Sequence, residues 1–452
     1  MKLAVVVQRY GAEINGGAEL HARYVAERLA RHHEVEVLTT CARDYVSWAN
    51  ELPAGADAVN GVAVRRFPVS HPRRPDDFGR RSEHVFKAVH SLADELAWLD
   101  SEGPASPALV RHVARCHRAF DYFIFFSYRY YHAWHGARAV ADRAILVPTA
   151  ERDPAIGLAI FPPVLRGVRA LMYNSFEERA MLQAVAHAGA DPPPEQASAV
   201  VGIGSEVPAH TSPQRFRQAH GLDGPFLVYV GRIDENKGCL ELFAYFQRYL
   251  RVTGSPLSLV LIGHSLLPVP DHPRIRHLGF VDDATKYDAM AAADALVMPS
   301  RFESLSMVAL EAWAVGTPVI ANGRCDVLRG QCMRSNAGLY YESVEEFAET
   351  ARVLEVNAGL RAAFGRNGRQ YFSRHYAWPV IERKYLDMFA RLRAADEAGA
   401  RPAPMAPLPG WFARRRRDLP PANDVLAAVP SGPVLPARHG ASREPAQRRR
   451  PT

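Results

Sequence analysis

Cysteine is nearly missing from this chain, and what there is does not pair up. The five residues, Cys41, Cys116, Cys239, Cys325 and Cys332, are odd in number and scattered over 452 positions. That pattern argues against a disulfide framework and points to reduced thiols in a cytoplasmic protein. Cys325 and Cys332 lack zinc-site spacing and a second pair, so they carry no metal role. Long apolar runs are missing as well. The first, Leu3 to Val7, is too short for a signal-peptide core, and no later stretch approaches the ~20 apolar residues of a membrane span. Two motif absences matter more. No D-x-D triplet occurs, which argues against a metal-bridged diphosphate, and no G-x-G-x-x-G occurs, so the dinucleotide fingerprint is absent.

A charge surplus on the body is the last absence. The net charge of +7 resides in residues 398–452, where ten arginines face three acids; residues 1–397 balance 45 basic against 45 acidic groups. A nucleic-acid binder carries its basic footprint on a folded face, so nucleic acid is not an expected partner. The same final stretch holds eleven of the 34 prolines and few large apolar groups. It buries too little to offset its ordering entropy and reads as a disordered tail. The Arg414–Arg417 run beside Trp411 and Phe412 suits either peripheral contact with an anionic membrane at its inner face or a solvated tail without a partner.

What is present is alternation. Strand-like runs at Leu3–Gln8, Glu34–Thr40, Val62–Val69, Asp121–Ser127, Ala144–Pro148 and Ala170–Asn174 are separated by helical patterns, including 82–100 and 106–119. Breakers crowd 189–213, which reads as a linker. The alternation then restarts, with strands at Phe226–Val230, Leu257–Ile262, Ala295–Met298 and Pro318–Ala321 and helices at 237–251, 283–292 and about 304–315. The expectation is an α/β chain of two Rossmann-like domains, 1–205 and 206–375. A helix at 376–397 crosses back onto the first domain, and the tail follows. A ligand belongs in the cleft outside the carboxyl ends of the strands.

Three clusters carry chemistry. RFESLSMVALEAWAVGTPVI, residues 301–320, holds Glu303 and Glu311 eight residues apart. On a helix that spacing is about 12 Å. It is too wide for a hydrolase pair, which needs about 5 to 9.5 Å, and suits the two ends of a nucleotide-sugar. Backbone N–H groups of Leu305 and Ser306 near the helix start suit phosphate or sugar oxygens. The strand Phe226–Val230 runs into Gly231-Arg232-Ile233-Asp234-Glu235-Asn236-Lys237-Gly238. Glycine keeps the turn open, and two cations five residues apart meet the charge that develops on a departing diphosphate. Asn15-Gly16-Gly17, between the first strand and helix, permits close backbone approach to a ligand.

In this order and spacing, the G-R-x-x-x-x-K-G loop, the E-x7-E segment and the early Gly-Gly loop resemble family-4 retaining glycosyltransferases of the GT-B fold. The resemblance covers residues 1–395. It implies that Arg232 and Lys237 bind the diphosphate, Glu311 the ribose and Glu303 the donor sugar. Gly16 and Gly17 would lie near the phosphates or acceptor, and Gly279-Phe280-Val281 would line the nucleobase. It further implies a UDP- or GDP-linked donor, a sugar, lipid-linked or other hydroxyl acceptor, polysaccharide or glycolipid assembly, and no metal or other cofactor.

One departure stands out. The family commonly places a histidine after the fifth strand, where this chain reads Thr149-Ala150-Glu151-Arg152-Asp153-Pro154. Glu151 either faces the cleft, as a hydroxyl acceptor or base, or is a surface residue paired with Arg152. His132 and His135 read as packing or surface residues. The missing histidine keeps a rival open, a non-catalytic nucleotide-sugar binder or partner subunit. An epimerase or phosphorylase on the same fold fits less well.

Overall fold

A computed structural model describes residues 1–14, 16–187, 196–400 and 405, together with the backbone of 434–435. The first lobe runs β1 (Lys2–Val6), α1 (Gly17–Leu29), β2 (Glu34–Thr40), β3 (Gly55–Val59), β4 (Val62–Phe67) and α2 (Pro75–Lys87). It continues with β5 (His90–Ser91), α3 (Leu92–Glu102), α4 (Pro107–Arg115), β6 (Tyr122–Phe126), α5 (Tyr131–Ala139) and β7 (Ala144–Val147). It closes with α6 (Phe161–Gly167), β8 (Ala170–Tyr173), α7 (Phe176–Ala186) and β9 (Ala197–Val200). The second lobe runs α8 (Pro213–Ala219), β10 (Phe226–Val230), α9 (Cys239–Thr253), β11 (Ser258–Ile262), β12 (Ile275–His277), α10 (Asp283–Ala292) and β13 (Ala295–Met298). It continues with α11 (Met307–Val315), β14 (Val319–Asn322), α12 (Asp326–Ser335), β15 (Gly338–Tyr341), α13 (Val344–Val356) and α14 (Ala358–His375). Then come α15 (Trp378–Glu397) and a two-residue β16 (Val434–Leu435).

The central strands are short and apolar because helices cover both faces of each sheet. All five residues of YFIFF in β6 and of FLVYV in β10 are buried. The first sheet has the order β3-β4-β2-β1-β6-β7-β8-β9 and the second β12-β11-β10-β13-β14-β15. Pairing in these two sheets is parallel except between β3 and β4. Strand order reverses at β1 in one sheet and at β10 in the other. Such switch points open a crevice at the carboxyl ends. In the second sheet the loops leaving neighbours β10 and β13 flank that crevice, and in the first the loops leaving β1, β6 and β7 do.

Several readings need correction. The 189–213 stretch is not simply a linker, since β9 extends the first sheet by pairing Ala170↔Ala197 through Tyr173↔Val200. The helical stretch 82–100 is two helices, broken at Ala88–Ser91. The antiparallel strand β3 carried no legible pattern, being largely exposed. Most of the 398–452 stretch lies outside the described residues, including Trp411, Phe412 and Arg414–Arg417. Met405 packs against Gly167 in the first lobe, and Val434–Leu435 pairs antiparallel with β5.

α15 lies across the first lobe. Phe389 stacks on Tyr122 with centroids 6.1 Å apart, and Asp396 takes Arg169 at 2.8 Å and the Tyr122 hydroxyl at 3.0 Å. The lobes also meet at the cleft edge. Arg152 pairs with Asp326, Arg334 grips both carboxylate oxygens of Glu177, and Asn174 reaches Ser304. No helix among the described residues is long and apolar enough to cross a membrane.

Candidate active site

The loop leaving β10 is shaped by its glycines. Gly231 has φ +146°, and Gly238, at φ +75°, caps α9 so close to the next loop that a Cβ would stand 2.3 Å from the Pro299 carbonyl oxygen. Only glycine lets the loops after β10 and β13 touch. Within the turn, Asp234 holds both cations' positions. One oxygen accepts the Lys237 backbone N–H at 2.8 Å, and the other pairs with the Arg232 guanidinium. Arg232 keeps its side chain about half exposed, and its carbonyl accepts the Tyr229 hydroxyl at 2.7 Å.

Lys237 turns into the crevice and donates to Glu303 at 2.8 Å. Burial pulls the ammonium's pKa down, and Glu303 more than offsets this, so Lys237 stays charged. Glu303 is not on a helix. It occupies the loop 299–306, and α11 begins only at Met307, so the helical spacing assumed for Glu303 and Glu311 is wrong over its first half. The reason is local. Ser306 adopts φ +68°, a left-handed conformation that ends any helix there, and its hydroxyl caps α11 by accepting the Ala309 N–H at 3.4 Å. Leu305 is buried, and its carbonyl accepts Gln331 at 2.7 Å.

Glu311 lies on α11 facing α10. It is buried and meets the Lys286 ammonium at 3.2 Å; Lys286 also reaches Asp283 at 3.0 Å. Burial raises the Glu311 carboxyl, and Lys286 and Tyr287 work against that. Val281 packs partly against the core, whereas the Phe280 ring is 83% exposed. Gly16 caps α1, and a Cβ there would strike the Glu19 carboxylate, itself held by Arg9 at 2.6 Å. Gly17 meets nothing, and Asn15 lies outside the described residues.

Across the cleft, the loop leaving β7 brings Glu151 to a pocket between the lobes that encloses about 440 Å³, open solvent included. Glu303, Glu178 and Asp326 share its lining. Arg152 is turned away onto Asp326, so it is not the partner of Glu151. Burial raises the Glu151 carboxyl, Glu303 adds to this, and Lys237 opposes it. Behind it sits Glu178, fully buried. Its oxygens accept the backbone N–H groups of Ala150, at 2.6 Å, and Asn174, so one carboxyl ties the β7 loop to the end of β8. Burial pushes Glu178 up to about 8. Two hydroxyls link the loops leaving β6 and β7. Ser127 (φ +67°) and Thr149 (φ +48°), both in left-handed backbone, meet at 2.9 Å. His132 is buried against the Phe126 carbonyl, a packing residue, and burial lowers it to about 4.

Sequence reading missed Asp234, Lys286, Glu178, Ser127 and Thr149. Asp234 alone had a signal, since it sits inside the motif. Among the described residues no three His, Cys, Asp or Glu side chains are grouped to hold a metal ion.

Residues 224–355, which contain Arg232, Lys237, Glu303 and Glu311, match the family model Glycosyl transferases group 1. An uncharacterized glycosyltransferase of Methanocaldococcus jannaschii is 24% identical over 86% of this chain and 98% of its own length. Among solved structures, sucrose-phosphate synthase from Thermosynechococcus elongatus superposes with TM-score 0.63 at 18% identity, covering 87% of this chain and 99% of that one. The Anabaena protein HepE in complex with UDP and glucose does so with TM-score 0.59 at 17% identity, covering 86% and 100%. The chain therefore carries a glycosyl transferases group 1 domain and is a glycosyltransferase of the GT-B fold.

Proposed function

We propose that this glycosyltransferase moves a hexosyl group from a UDP- or GDP-linked donor to an acceptor hydroxyl with retention of configuration, without a metal ion. The acceptor is a sugar or a lipid-linked sugar in polysaccharide or glycolipid assembly. One observation carries the reading. Two lysine–glutamate pairs lie in the second lobe: Lys237–Glu303 joins the loops after β10 and β13, with the half-exposed guanidinium of Arg232 on the same turn, and Lys286–Glu311 joins α10 to α11. When donor binds, Lys237 and Arg232 turn to the diphosphate, Glu303 accepts a sugar hydroxyl, and Glu311 accepts from the ribose. The bond from the anomeric carbon to phosphate then breaks as the acceptor oxygen bonds on the same face. The acceptor proton passes to the departing phosphate or to Glu151. The cations stabilise charge as it forms, which is where binding energy accelerates the reaction.

The rival, a non-catalytic nucleotide-sugar binder, draws on Glu151 standing where the family keeps histidine. Thermal unfolding with a panel of nucleotides and sugar nucleotides identifies the donor, since a ligand at a hundredfold excess over its Kd stabilises by about 2.7 kcal/mol. Nucleotide release from that donor is then measured, and the anomeric configuration of the product is read by NMR. Slow hydrolysis or transfer with retention is the expected result. Tight binding with no nucleotide release under any acceptor establishes the rival.

A further inference from the structure

Behind Glu151 stands an acid that the donor reading leaves unused. Glu178 is the last residue of S-F-E-E at the start of α7, where the Ser175 hydroxyl caps the helix by accepting the Glu178 N–H at 3.1 Å. An acid at this place ordinarily turns back to the cap's own N–H. Here the carboxyl reaches further. One oxygen accepts the Asn174 N–H just past β8. The other accepts the Ala150 N–H at 2.6 Å, 28 residues away in the loop leaving β7. Glu178, Asn174 and Ala150 are each 1% exposed.

Ala150 is the residue before Glu151. Among the described residues no hydrogen bond or ion pair holds the Glu151 carboxyl itself, so its place in the pocket is set by the backbone that carries it. That backbone is fixed on both sides. Upstream, Thr149 keeps a left-handed φ of +48° and meets Ser127 at 2.9 Å. A β-branched residue persists in that conformation only where its surroundings over-determine it. Downstream, the Glu151 carbonyl accepts the Asp153 N–H at 2.8 Å, and Asp153 is tied to Arg129 at 2.7 Å. Glu178 supplies the link between the two, at Ala150.

We propose that Glu178 is the positioning residue for Glu151: by holding the Ala150 N–H against the end of β8, it fixes where the Glu151 carboxylate meets the acceptor, and so sets turnover rather than donor affinity. The proposal rests on the reading above that Glu151 works at the acceptor oxygen. Both partners of Glu178 are main-chain N–H groups, so what it holds is the course of the chain. An ionised carboxylate accepts at both oxygens, whereas an amide of the same shape has one acceptor and sets its NH₂ against the second N–H. Misplacing a reacting group by about 1 Å costs up to about 10²-fold. The donor's proposed partners Arg232, Lys237 and Glu311 belong to the other lobe and keep their places. A rival route runs through the other oxygen, since Asn174 reaches Ser304 at 3.5 Å, next to Glu303. An effect taking that route shows in donor KM and persists when Glu151 is replaced.

The test is a double-substitution cycle on the full chain, read as nucleotide release from a panel of UDP- and GDP-hexoses with water as acceptor, at about pH 9. Burial pushes Glu178 up to about 8, so at that pH the carboxylate is the form replaced. Glu178→Gln should lower kcat about five- to tenfold and leave donor KM within about twofold, the ceiling being the roughly tenfold loss of Glu151→Gln itself. In the double variant kcat should match Glu151→Gln alone to within about twofold, because displacing a group already removed costs nothing more. Should Glu178→Gln unfold, Glu178→Asp keeps the charge but withdraws it by one methylene, and the same cycle is run with it. Losses that multiply in the double variant, or a change confined to donor KM, overturn the proposal. Full turnover by Glu151→Gln overturns it too, and leaves the donor site standing. A wild-type chain that releases nucleotide from no member of the panel overturns the transferase reading, and this proposal with it.

Discussion

The two walls of the cleft solve the same problem with different materials. The second lobe presents charge in short contiguous motifs, where Arg232, Asp234 and Lys237 share one turn and Glu303 and Glu311 share one segment. Its ions pair locally, Lys237 with Glu303 and Lys286 with Glu311 and Asp283. The first lobe gathers its groups from far apart. Arg73, Glu102, Arg129 and Asp153 form one chain of ions, with Glu102 meeting Arg73 and Arg129 at 2.8 Å each and Arg129 reaching Asp153 at 2.7 Å. Glu102 is 1% exposed. Arg73 also lies 4.8 Å over Trp48. The difference separates roles: ions that, on the proposed reading, re-pair onto the donor, and a fixed scaffold beneath the loop that carries Glu151.

The largest expected effect breaks the scaffold. Glu102→Ala removes the carboxylate shared by two guanidinium groups, leaving Arg129 with Asp153 alone and Arg73 with backbone carbonyls, and removal of one partner from a buried ion network costs about 3 to 5 kcal/mol. Urea unfolding should register that loss, with Glu102→Gln losing less. If the comparison is right, the matching deletion in the second lobe behaves in the opposite way. Lys237→Ala should unfold near the wild-type midpoint while kcat/KM falls by about 10²–10³, the usual effect of deleting one preorganised charge stabiliser. A Glu102 variant with full stability, or a Lys237 variant with full turnover, would erase the distinction.

That division also explains what the sequence disclosed. The β10 strand, the turn after it and the E-x7-E segment are local, so pattern and spacing exposed them. Glu303 was misplaced onto a helix because nothing in R-F-E-S-L-S announces the left-handed backbone at Ser306. β9 was hidden by the prolines and glycines around it, since its four residues are only half-buried and gain their strand form from β8. Lys286 looks like the partner of Asp283 three residues earlier, an ordinary surface pair on a helix. Glu178 looks like a solvated acid in F-E-E-R. Their burial comes from elements that arrive from elsewhere in the chain, which no local window contains.

A smaller effect sharpens the role of the first-lobe loop. The Glu151 carboxyl is held above its ordinary value by burial and by Glu303. It is therefore ionised only above that raised pKa, and turnover that uses its carboxylate must climb with pH through that range. Glu151→Gln should remove the climbing limb and lower the plateau roughly tenfold, toward the weak end of general-base contributions. A pH profile unchanged in shape would assign the acceptor proton to the leaving phosphate alone.

The smallest effect concerns the contacts between the walls. Arg152 and Asp326 pair at 3.0 Å across the cleft, but their side chains are 73% and 40% exposed. Exposed pairs of this kind contribute about 0 to 1 kcal/mol, because water and salt screen the attraction and ordering two long side chains offsets it. The Arg334–Glu177 pair is better placed, with both oxygens engaged, 30% and 20% exposure, and the Phe176 ring 5.1 Å from the guanidinium. Arg152→Ala should leave the unfolding free energy within about 0.5 kcal/mol of wild type, and 0.5 M salt should abolish even that. Arg334→Ala should cost more and resist salt, since planar two-point contacts keep their geometry where single exposed contacts do not. If the two substitutions prove equal and equally salt-sensitive, the cleft-edge ions are incidental to closure, which then rests on α15, the β9 connection and the remaining contacts such as Asn174–Ser304.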